Sequence, residues 1–298
     1  MTWPVLVAAL RDGHRRTAPA LDDMFVGVSG NGMLVRAAVI PGLGRCVKAM
    51  TIVAANAKRT PTLPTIHGEV ILFDDTTGVV MATIDGVAVT RWKTAGDSAL
   101  GAALLVRPDV ESLLMVGAGT MAEPLIRAHC TVRPSLRRIA IWNRSRDRAV
   151  ALAGRLTDLR RTVTVADDLD AAVSDADVVS VATMSSDPVI RGARLKPGAH
   201  LDLVGAYTPD MREADDEAIR RGRLFVDYRG TTIEHIGELM IPLKTGVIGE
   251  ADVLGDLYDL VAGNTRPRAA GDITVYKNGG GAHLDLMTAR AIFTAVAR

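Results

Sequence analysis

The chain has 298 residues, enough for one large domain or two ordinary domains. It carries 35 basic and 34 acidic side chains, a balance that argues against a nucleic-acid or membrane-surface partner. Hydrophobic residues make up 48% of the sequence, yet no apolar run approaches the roughly 20 residues of a membrane-spanning helix. Cys46 and Cys130 lack metal-binding or redox spacing, so we expect no disulfide and a cytoplasmic location.

The first part of the chain predicts one helix followed by a β-rich block. Apolar residues at positions 3, 6, 7 and 10 favour a helix over residues 3–15. Three strand-like segments follow, MLVRAAVI, RCVKAMTIVA and GEVILFDD. We expect a hairpin with Gly78 in its turn before VVMATIDG, and then an Ala/Leu-rich helix over residues 94–106.

From residue 113 the pattern alternates between strands and helices. The strand-like segments are LLMVG, RRIAIW, TVTVA, DVVSVAT, HLDLVGA and RLFVDY. This rhythm predicts a doubly wound parallel sheet of the Rossmann type, so the fold class is α/β with an added β-rich α+β domain. We expect residues 106–271 to bind a dinucleotide. Residues 1–105 and 272–298 would bind the substrate and make a dimer.

A glycine-rich turn joins the first of these strands to its helix. Gly117 permits the tight turn, Gly119 lets the backbone approach a pyrophosphate, and Ala122 packs closely against the strand. A second strand ends at Trp142, about 20 residues further on, as the dinucleotide fingerprint requires. The predicted cofactor contacts in this turn are Gly117, Ala118, Gly119, Thr120 and Met121.

The loop after Trp142 indicates which dinucleotide binds. NAD sites usually place an acidic residue there to bind the ribose 2′-hydroxyl, whereas this chain has Asn143 followed by Arg144 and Ser145, with Arg146 and Arg148 close behind. A guanidinium pairs with a 2′-phosphate that a carboxylate would repel. We therefore predict NADP(H) rather than NAD(H), with Asn143, Arg144, Ser145 and Arg148 as cofactor contacts.

Other cofactor contacts follow from the expected fold, because ligands of such sheets bind at the carboxyl ends of the strands. Thr183 and Met184 end one strand, and Val204 and Gly205 end the next. Gly279 would allow a close backbone approach, or simply form a turn. Histidine, cysteine and carboxylate residues show no metal-ligand spacing, so we expect no metal.

Several ordered motifs of this chain resemble those of the ornithine cyclodeaminase/μ-crystallin family. They include VK before an Asn-containing loop, LPT followed by GEVILFDDTTG, TRWKTAGDSA, GAGTMA, VGAYTPDMRE and KNGGGAHLDL. The resemblance covers nearly the whole chain. It implies a homodimer and hydride exchange at the carbon of a C=N bond next to a carboxylate.

The same resemblance implies roles for individual residues. Lys48 matches the family's active-site lysine, which would hold the substrate carboxylate or assist proton transfer to the imine nitrogen; a lysine in an apolar strand also suggests a nearby anion. Thr65 matches a substrate-contacting position. Lys93 matches a carboxylate-gripping position usually held by arginine, so Arg36 or Arg91 could supply the missing fork.

Tyr207 takes the place of an aspartate that cyclodeaminating and alanine-dehydrogenating members use to process ammonia. Its loss favours reduction of a preformed imine, as in the ketimine reductases of the family. We therefore expect an NADPH-dependent reductase that converts Δ1-pyrroline-2-carboxylate or a similar ketimine to an L-amino acid, with Tyr207 near the substrate. The alternatives are an NAD-dependent cyclodeaminase or alanine dehydrogenase, and a catalytically silent protein that binds NADPH and a small ligand.

Overall fold

A computed structural model describes residues 1–28 and 30–297 of the protein. Its strands are β1 (Ala20–Val28), β2 (Asn31–Ile40), β3 (Gly44–Val53), β4 (Ile66–Phe73), β5 (Val80–Asp85), β6 (Ser112–Val116), β7 (Arg138–Trp142), β8 (Thr162–Val165), β9 (Val178–Val181), β10 (His200–Leu203), β11 (Arg223–Val226), β12 (Val253–Gly255) and β13 (Thr274–Lys277). Its α-helices are α1 (Trp3–Gly13), α2 (Gly86–Leu105), α3 (Ala122–Val132), α4 (Arg146–Gly154), α5 (Leu169–Asp175), α6 (Asp216–Arg221), α7 (Arg229–Thr232), α8 (Gly237–Lys244), α9 (Leu257–Ala262) and α10 (Ala282–Val296). None of the helices within these residues is long and apolar enough to cross a membrane.

The chain forms two compact units, one made of residues 1–93 and 281–298 and the other of residues 94–280. The first unit contains an antiparallel sheet in the order β1-β2-β3-β4-β5. Helix α10 packs on β2 and β3, and α1 packs on α10. The alternation of β3 fits this arrangement, because Cys46, Lys48 and Met50 point to one buried face.

The second unit contains an eight-stranded sheet in the order β12-β11-β13-β10-β9-β6-β7-β8. All of its strand pairs are parallel, and the central strands are rich in buried Val, Leu and Ile, as a sheet covered on both faces requires. The strand order reverses between β6 and β9, which is the switch point of a doubly wound fold. The expected class, a Rossmann sheet plus a β-rich domain, is confirmed.

Three elements differ from the sequence-based expectation. Helix α2 starts at Gly86 rather than at residue 94, because the Asp85 carboxylate accepts the Ala88 N–H and caps the helix. Strand β1 begins at Ala20, before the expected β-rich block. Strand β13 pairs with β10 and β11, so residues 274–277 lie in the sheet of the second unit, whereas residues 272–298 were assigned to the first.

A buried polar network joins four elements of the second unit. Asp202 on β10 accepts hydrogen bonds from Ser98 Oγ at 2.8 Å, Ser180 Oγ at 2.7 Å and His129 Nε2 at 3.0 Å. Burial works to raise the pKa of Asp202, but the hydrogen bonds from His129 and Ser180 and the charges of His129 and His200 together outweigh burial and keep the pKa below the ordinary value. The carboxylate is thus paired where an unpaired charge would be costly.

Candidate functional site

Two groups of candidate residues occupy different units, and the first is centred on Asp285 in the opening turn of α10. The side chain of Asp285 is completely buried. Its Oδ1 accepts a hydrogen bond from Lys48 Nζ at 3.0 Å, and its Oδ2 accepts one from Lys93 Nζ at 3.2 Å. One carboxylate therefore joins two lysines that lie on different elements. We call these three residues the Asp285 cluster.

The secondary structure explains why both lysines reach this carboxylate. Lys48 lies on the face of β3 that packs against α10. Lys93 lies on α2, three residues after Thr90, so the two side chains share a helix face. Lys48 Nζ donates to Thr90 Oγ1 at 2.5 Å, and Lys93 Nζ also approaches the carbonyl oxygen of Gly281 at 3.4 Å.

Electrostatics in the Asp285 cluster are set by burial, since each lysine is only 4% exposed. Burial lowers the pKa of Lys93 to about 8; Asp285 opposes the shift, while Lys48 and Arg36 add to it. Burial also works to raise the pKa of Asp285, but the two lysines and Arg36 together outweigh it and hold the pKa below the ordinary value. The cluster contains two ammonium groups and one carboxylate, which leaves one positive charge when all three are ionised.

Arg36 and Thr65 differ in their relation to the cluster. Arg36 on β2 lies directly opposite Lys48 in the sheet and binds Asp23, with Nη2 and Oδ2 2.6 Å apart. Thr65 lies before β4, five positions from Val70, the residue that pairs with Lys48. At about 3.3 Å per residue this is roughly 16 Å along the strand, so the structure does not bring Thr65 to the lysines.

Arg91, the other candidate for a carboxylate fork, is exposed on α2. Two residues before Lys93 on a helix, it faces away from that side chain. Of the two arginines, Arg36 is thus the one placed beside the cluster.

Two histidines near these motifs lie in different environments. His67 is exposed on β4. His283 is fully buried next to His14, with ring centroids 5.7 Å apart, and burial lowers the pKa of His283 well below its ordinary value. His283 is therefore neutral at physiological pH, and its place in the packed interior agrees with a structural role.

The second group of candidate residues surrounds the turn between β6 and α3. Gly117 has a φ of 107°, and an added Cβ would lie 2.5 Å from the carbonyl oxygen of Ala182, so only glycine fits. An added Cβ on Gly119 would meet no atom within 4 Å, so its face is open. In the described part of the chain, the N–H groups of Gly119, Thr120 and Met121 donate to no protein acceptor. Three free donors before a helix suit a pyrophosphate.

The loop after β7 presents polar groups to solvent beside this turn. Asn143 Oδ1 accepts the Ala118 N–H at 3.1 Å, and Asn143 Nδ2 donates to the Ser145 carbonyl at 2.8 Å, so Asn143 holds the turn and the loop together. Arg144, Ser145 and Arg148 are exposed. Arg146 pairs with Asp167 at 2.8 Å, whereas among the described residues neither Arg144 nor Arg148 pairs with a carboxylate.

Other expected cofactor contacts also follow strand ends. Met184 is 74% exposed, whereas Thr183, Val204 and Gly205 are half-buried. Tyr207, the expected substrate contact, follows them and is 59% exposed. Gly279 approaches Thr232 so closely that an added Cβ would lie 2.3 Å from its hydroxyl oxygen, which explains the glycine by packing alone. Within residues 1–28 and 30–297, no group of three or more His, Cys, Asp or Glu side chains could hold a metal ion.

Sequence reasoning missed the carboxylates that organise both groups. Asp285 lies in the motif KNGGGAHLDL. The available signal was that it is the single acid of a mostly apolar helix. Glu213 lies in VGAYTPDMRE and is buried below the ends of β9 and β10. Thr90, which accepts from Lys48, had no sequence signal beyond its spacing from Lys93.

Comparison with known proteins identifies the class. The sequence profile of the ornithine cyclodeaminase/mu-crystallin family matches residues 38–298, and the chain belongs to this family. It is 48% identical to a Δ1-pyrroline-2-carboxylate reductase of Paracoccus denitrificans over 298 residues, covering 100% of this chain and 94% of that protein.

Two further relatives extend this comparison. The ketimine reductase mu-crystallin of Mus musculus is 32% identical over 231 residues, covering 78% of this chain and 70% of that protein. The structure of Thermococcus litoralis Δ1-pyrroline-2-carboxylate reductase in complex with NADH and L-proline superposes with a TM-score of 0.91 at 23% identity, covering 100% of this chain and 94% of the other. At that identity the superposition supports the fold alone.

The Asp285 cluster yields a test of its own charge balance. Asp285→Asn leaves two buried ammonium groups without a carboxylate, so we expect a loss of about 3–5 kcal/mol in the free energy of unfolding. Adding Lys93→Met should restore part of this loss, because it removes one unpaired charge. Urea unfolding measures both effects, with Asp12→Asn at an exposed ion pair as the control. An Asp285→Asn variant as stable as the parent would contradict the charge pairing.

Proposed function

We propose that the protein reduces a small imine bearing a carboxylate to an L-amino acid with NADPH, and that Δ1-pyrroline-2-carboxylate is the leading substrate. The observation that carries this proposal is the Asp285 cluster, in which two buried lysines share one carboxylate and leave one positive charge. The family and the 48% identical reductase make the chain an oxidoreductase that acts on C=N bonds.

The buried lysines supply what imine reduction demands of the protein. When bound, the reduced nicotinamide supplies the hydride. The imine nitrogen also needs a proton, and an ammonium group with a lowered pKa, such as Lys93 at about 8, gives up its proton readily near neutral pH. The other ammonium, Lys48, attracts the substrate carboxylate, and the roles of the two lysines could also be exchanged. Arg36, beside Lys48, carries the planar guanidinium that lysine lacks, and a substrate carboxylate would share this group with Asp23.

Tyr207 supports reduction rather than cyclodeamination. Cyclodeamination requires a base that deprotonates an amine, and the matching position here holds an exposed phenol instead of a carboxylate. Asp210 lies three positions further on, where its side chain is exposed and its Oδ1 accepts a hydrogen bond from Thr208 Oγ1 at 2.6 Å. Reduction of a preformed imine needs no such base.

NADPH is the proposed cofactor because of the loop after β7. Arg144 and Arg148 are exposed and unpaired with carboxylates among the described residues, so their guanidinium groups can bind a 2′-phosphate. The proposed contacts for the rest of the dinucleotide are the turn Gly117–Met121 and the strand ends at Thr183, Met184, Val204 and Gly205.

A homodimer is proposed from an apolar surface on the first unit. Neighbouring strands β1 and β2 expose Met24, Val26, Val28 and Met33 on one face of the sheet and Phe25 on the other, each by at least 40%. A run of exposed apolar side chains on an outer strand pair is typical of a protein–protein interface. The resemblance noted above assigns dimerisation to this β-rich half. Cys46 and Cys130 are free thiols, in keeping with the cytoplasm as the proposed compartment.

The reaction can be tested directly. Purified protein with NADPH and Δ1-pyrroline-2-carboxylate should oxidise the cofactor and form L-proline. Lys48→Ala and Lys48→Met each remove either the carboxylate contact or the proton donor, so each should lower kcat/KM for the imine by about 100-fold or more while NADPH still binds. Lys244→Ala, at an exposed lysine, is the control. Ammonia release from ornithine would instead support cyclodeamination. Tight NADPH binding without oxidation by any ketimine would support a binding protein.

Cofactor preference provides a second test. Arg144→Asp should raise the Michaelis constant for NADPH by about 10- to 100-fold, because one or two charge-assisted hydrogen bonds to the 2′-phosphate are lost. The Michaelis constant for NADH should change much less. Arg160→Asp, at an exposed arginine between α4 and β8, serves as the control. A parent enzyme that prefers NADH would refute the assignment.

The proposed interface gives a third test. Replacing Met24 and Val26 with glutamate places two charges on one face of β1, within the apolar surface, so the protein should shift from dimer to monomer. Sedimentation equilibrium measures the mass directly. Glu69→Gln on the exposed side of β4 is the control. A parent protein that is monomeric at micromolar concentration would overturn the proposal.

A further inference from the structure

Glu213 connects two chain segments that follow neighbouring strands of the second unit. Its Oε1 accepts hydrogen bonds from the backbone N–H and the hydroxyl of Thr183, each at 2.7 Å. Its Oε2 accepts the N–H of Gly205 at 2.6 Å and approaches that of Ala206 at 3.4 Å. The side chain is completely buried. One carboxylate therefore fixes the segments after β9 and β10 relative to each other.

The geometry favours an ionised acid. Three of the four groups that contact Glu213 are backbone N–H groups, which can only donate, so both carboxylate oxygens act as acceptors. A protonated carboxyl could keep the contact to the Thr183 hydroxyl by donating to it, but its neutral oxygens accept the backbone N–H groups more weakly than charged ones do. The two segments are also in direct backbone contact, since an added Cβ on Gly205 would lie 1.8 Å from the Thr183 carbonyl oxygen.

A second carboxylate holds Glu213 itself in place. Glu238 on α8 is buried, and its two oxygens accept the N–H groups of Glu213 at 2.8 Å and Ala214 at 3.0 Å. Lys277 on β13 faces both acids with a positive charge. Burial raises the pKa of Glu213 to about 7, Glu238 adds to the rise, and Lys277 opposes it. Protonation therefore falls near neutral pH.

Thr183 and Gly205 lie at the carboxyl ends of their strands, the edge of a doubly wound sheet where nucleotides bind. We propose that Glu213 is a positioning residue for the nicotinamide cofactor. It fixes the backbone at the two strand ends and does not itself contact the cofactor. This inference rests on the proposed function for the identity of the cofactor. Its consequence is that cofactor affinity depends on the charge of a buried acid.

The experiment measures the dissociation constant of NADH by fluorescence between pH 6 and 8.5. NADH is the probe because it lacks the 2′-phosphate, which itself titrates near pH 6. At pH 8.5 Glu213→Gln should bind about tenfold more weakly than the parent, since its amide nitrogen cannot accept a backbone N–H. Glu217→Gln, at an exposed glutamate four residues away, should bind as the parent does.

The pH profile separates positioning from a general loss of structure. The parent's dissociation constant should rise as the pH falls through about 7, because Glu213 takes up a proton, whereas that of Glu213→Gln should stay high and flat. Equal affinity in Glu213→Gln and the parent would overturn the proposal. If Glu213→Gln does not fold, the pH profile of the parent protein alone tests the proposal. A dissociation constant for NADH that does not change with pH would then contradict a positioning role.

The proposal and the proposed function fail in different ways. Imine turnover plays no part in this experiment, so an inactive protein that shows the expected binding profile would refute only the substrate assignment. A protein that binds neither NADH nor NADPH would refute both.

Discussion

The first unit depends on the pairing of buried charges around Asp285. Two lysines without water would each cost several kcal/mol, and one carboxylate with a separate oxygen for each offsets that cost. The pairing also ties β3, α2 and α10 to one point. Since the acid lies on the last helix of the chain, the site is complete only when that helix has returned to the first sheet.

The second unit uses the same device at its strand ends. Glu213 accepts from segments after β9 and β10, and Glu238 in turn accepts from the backbone of Glu213. The backbone of the loops that would bind a ligand is therefore held by hydrogen bonds to buried carboxylates. Asn143 has a similar part on the other side of the switch point, where it bonds the glycine turn. Such supporting bonds preorganise a binding surface before the ligand arrives.

The sequence predicted the elements better than their partners. Alternating strands and helices with GAGTMA were enough for the Rossmann sheet, because periodicity and glycine spacing are local properties. Lys48 was recognisable as an ion in an apolar strand, but its partner Asp285 lies 237 residues away, and no local pattern connects them. Strand β13 was grouped with the first unit for the same reason, since a short apolar strand does not indicate which sheet it joins.

The shared carboxylate of Asp285 has a further consequence for selectivity. With all three groups ionised, the cluster carries one net positive charge. A ligand with one carboxylate would neutralise this charge, whereas a neutral ligand would not. The cluster thus favours ligands by their charge, and this preference does not depend on ring size or side-chain length.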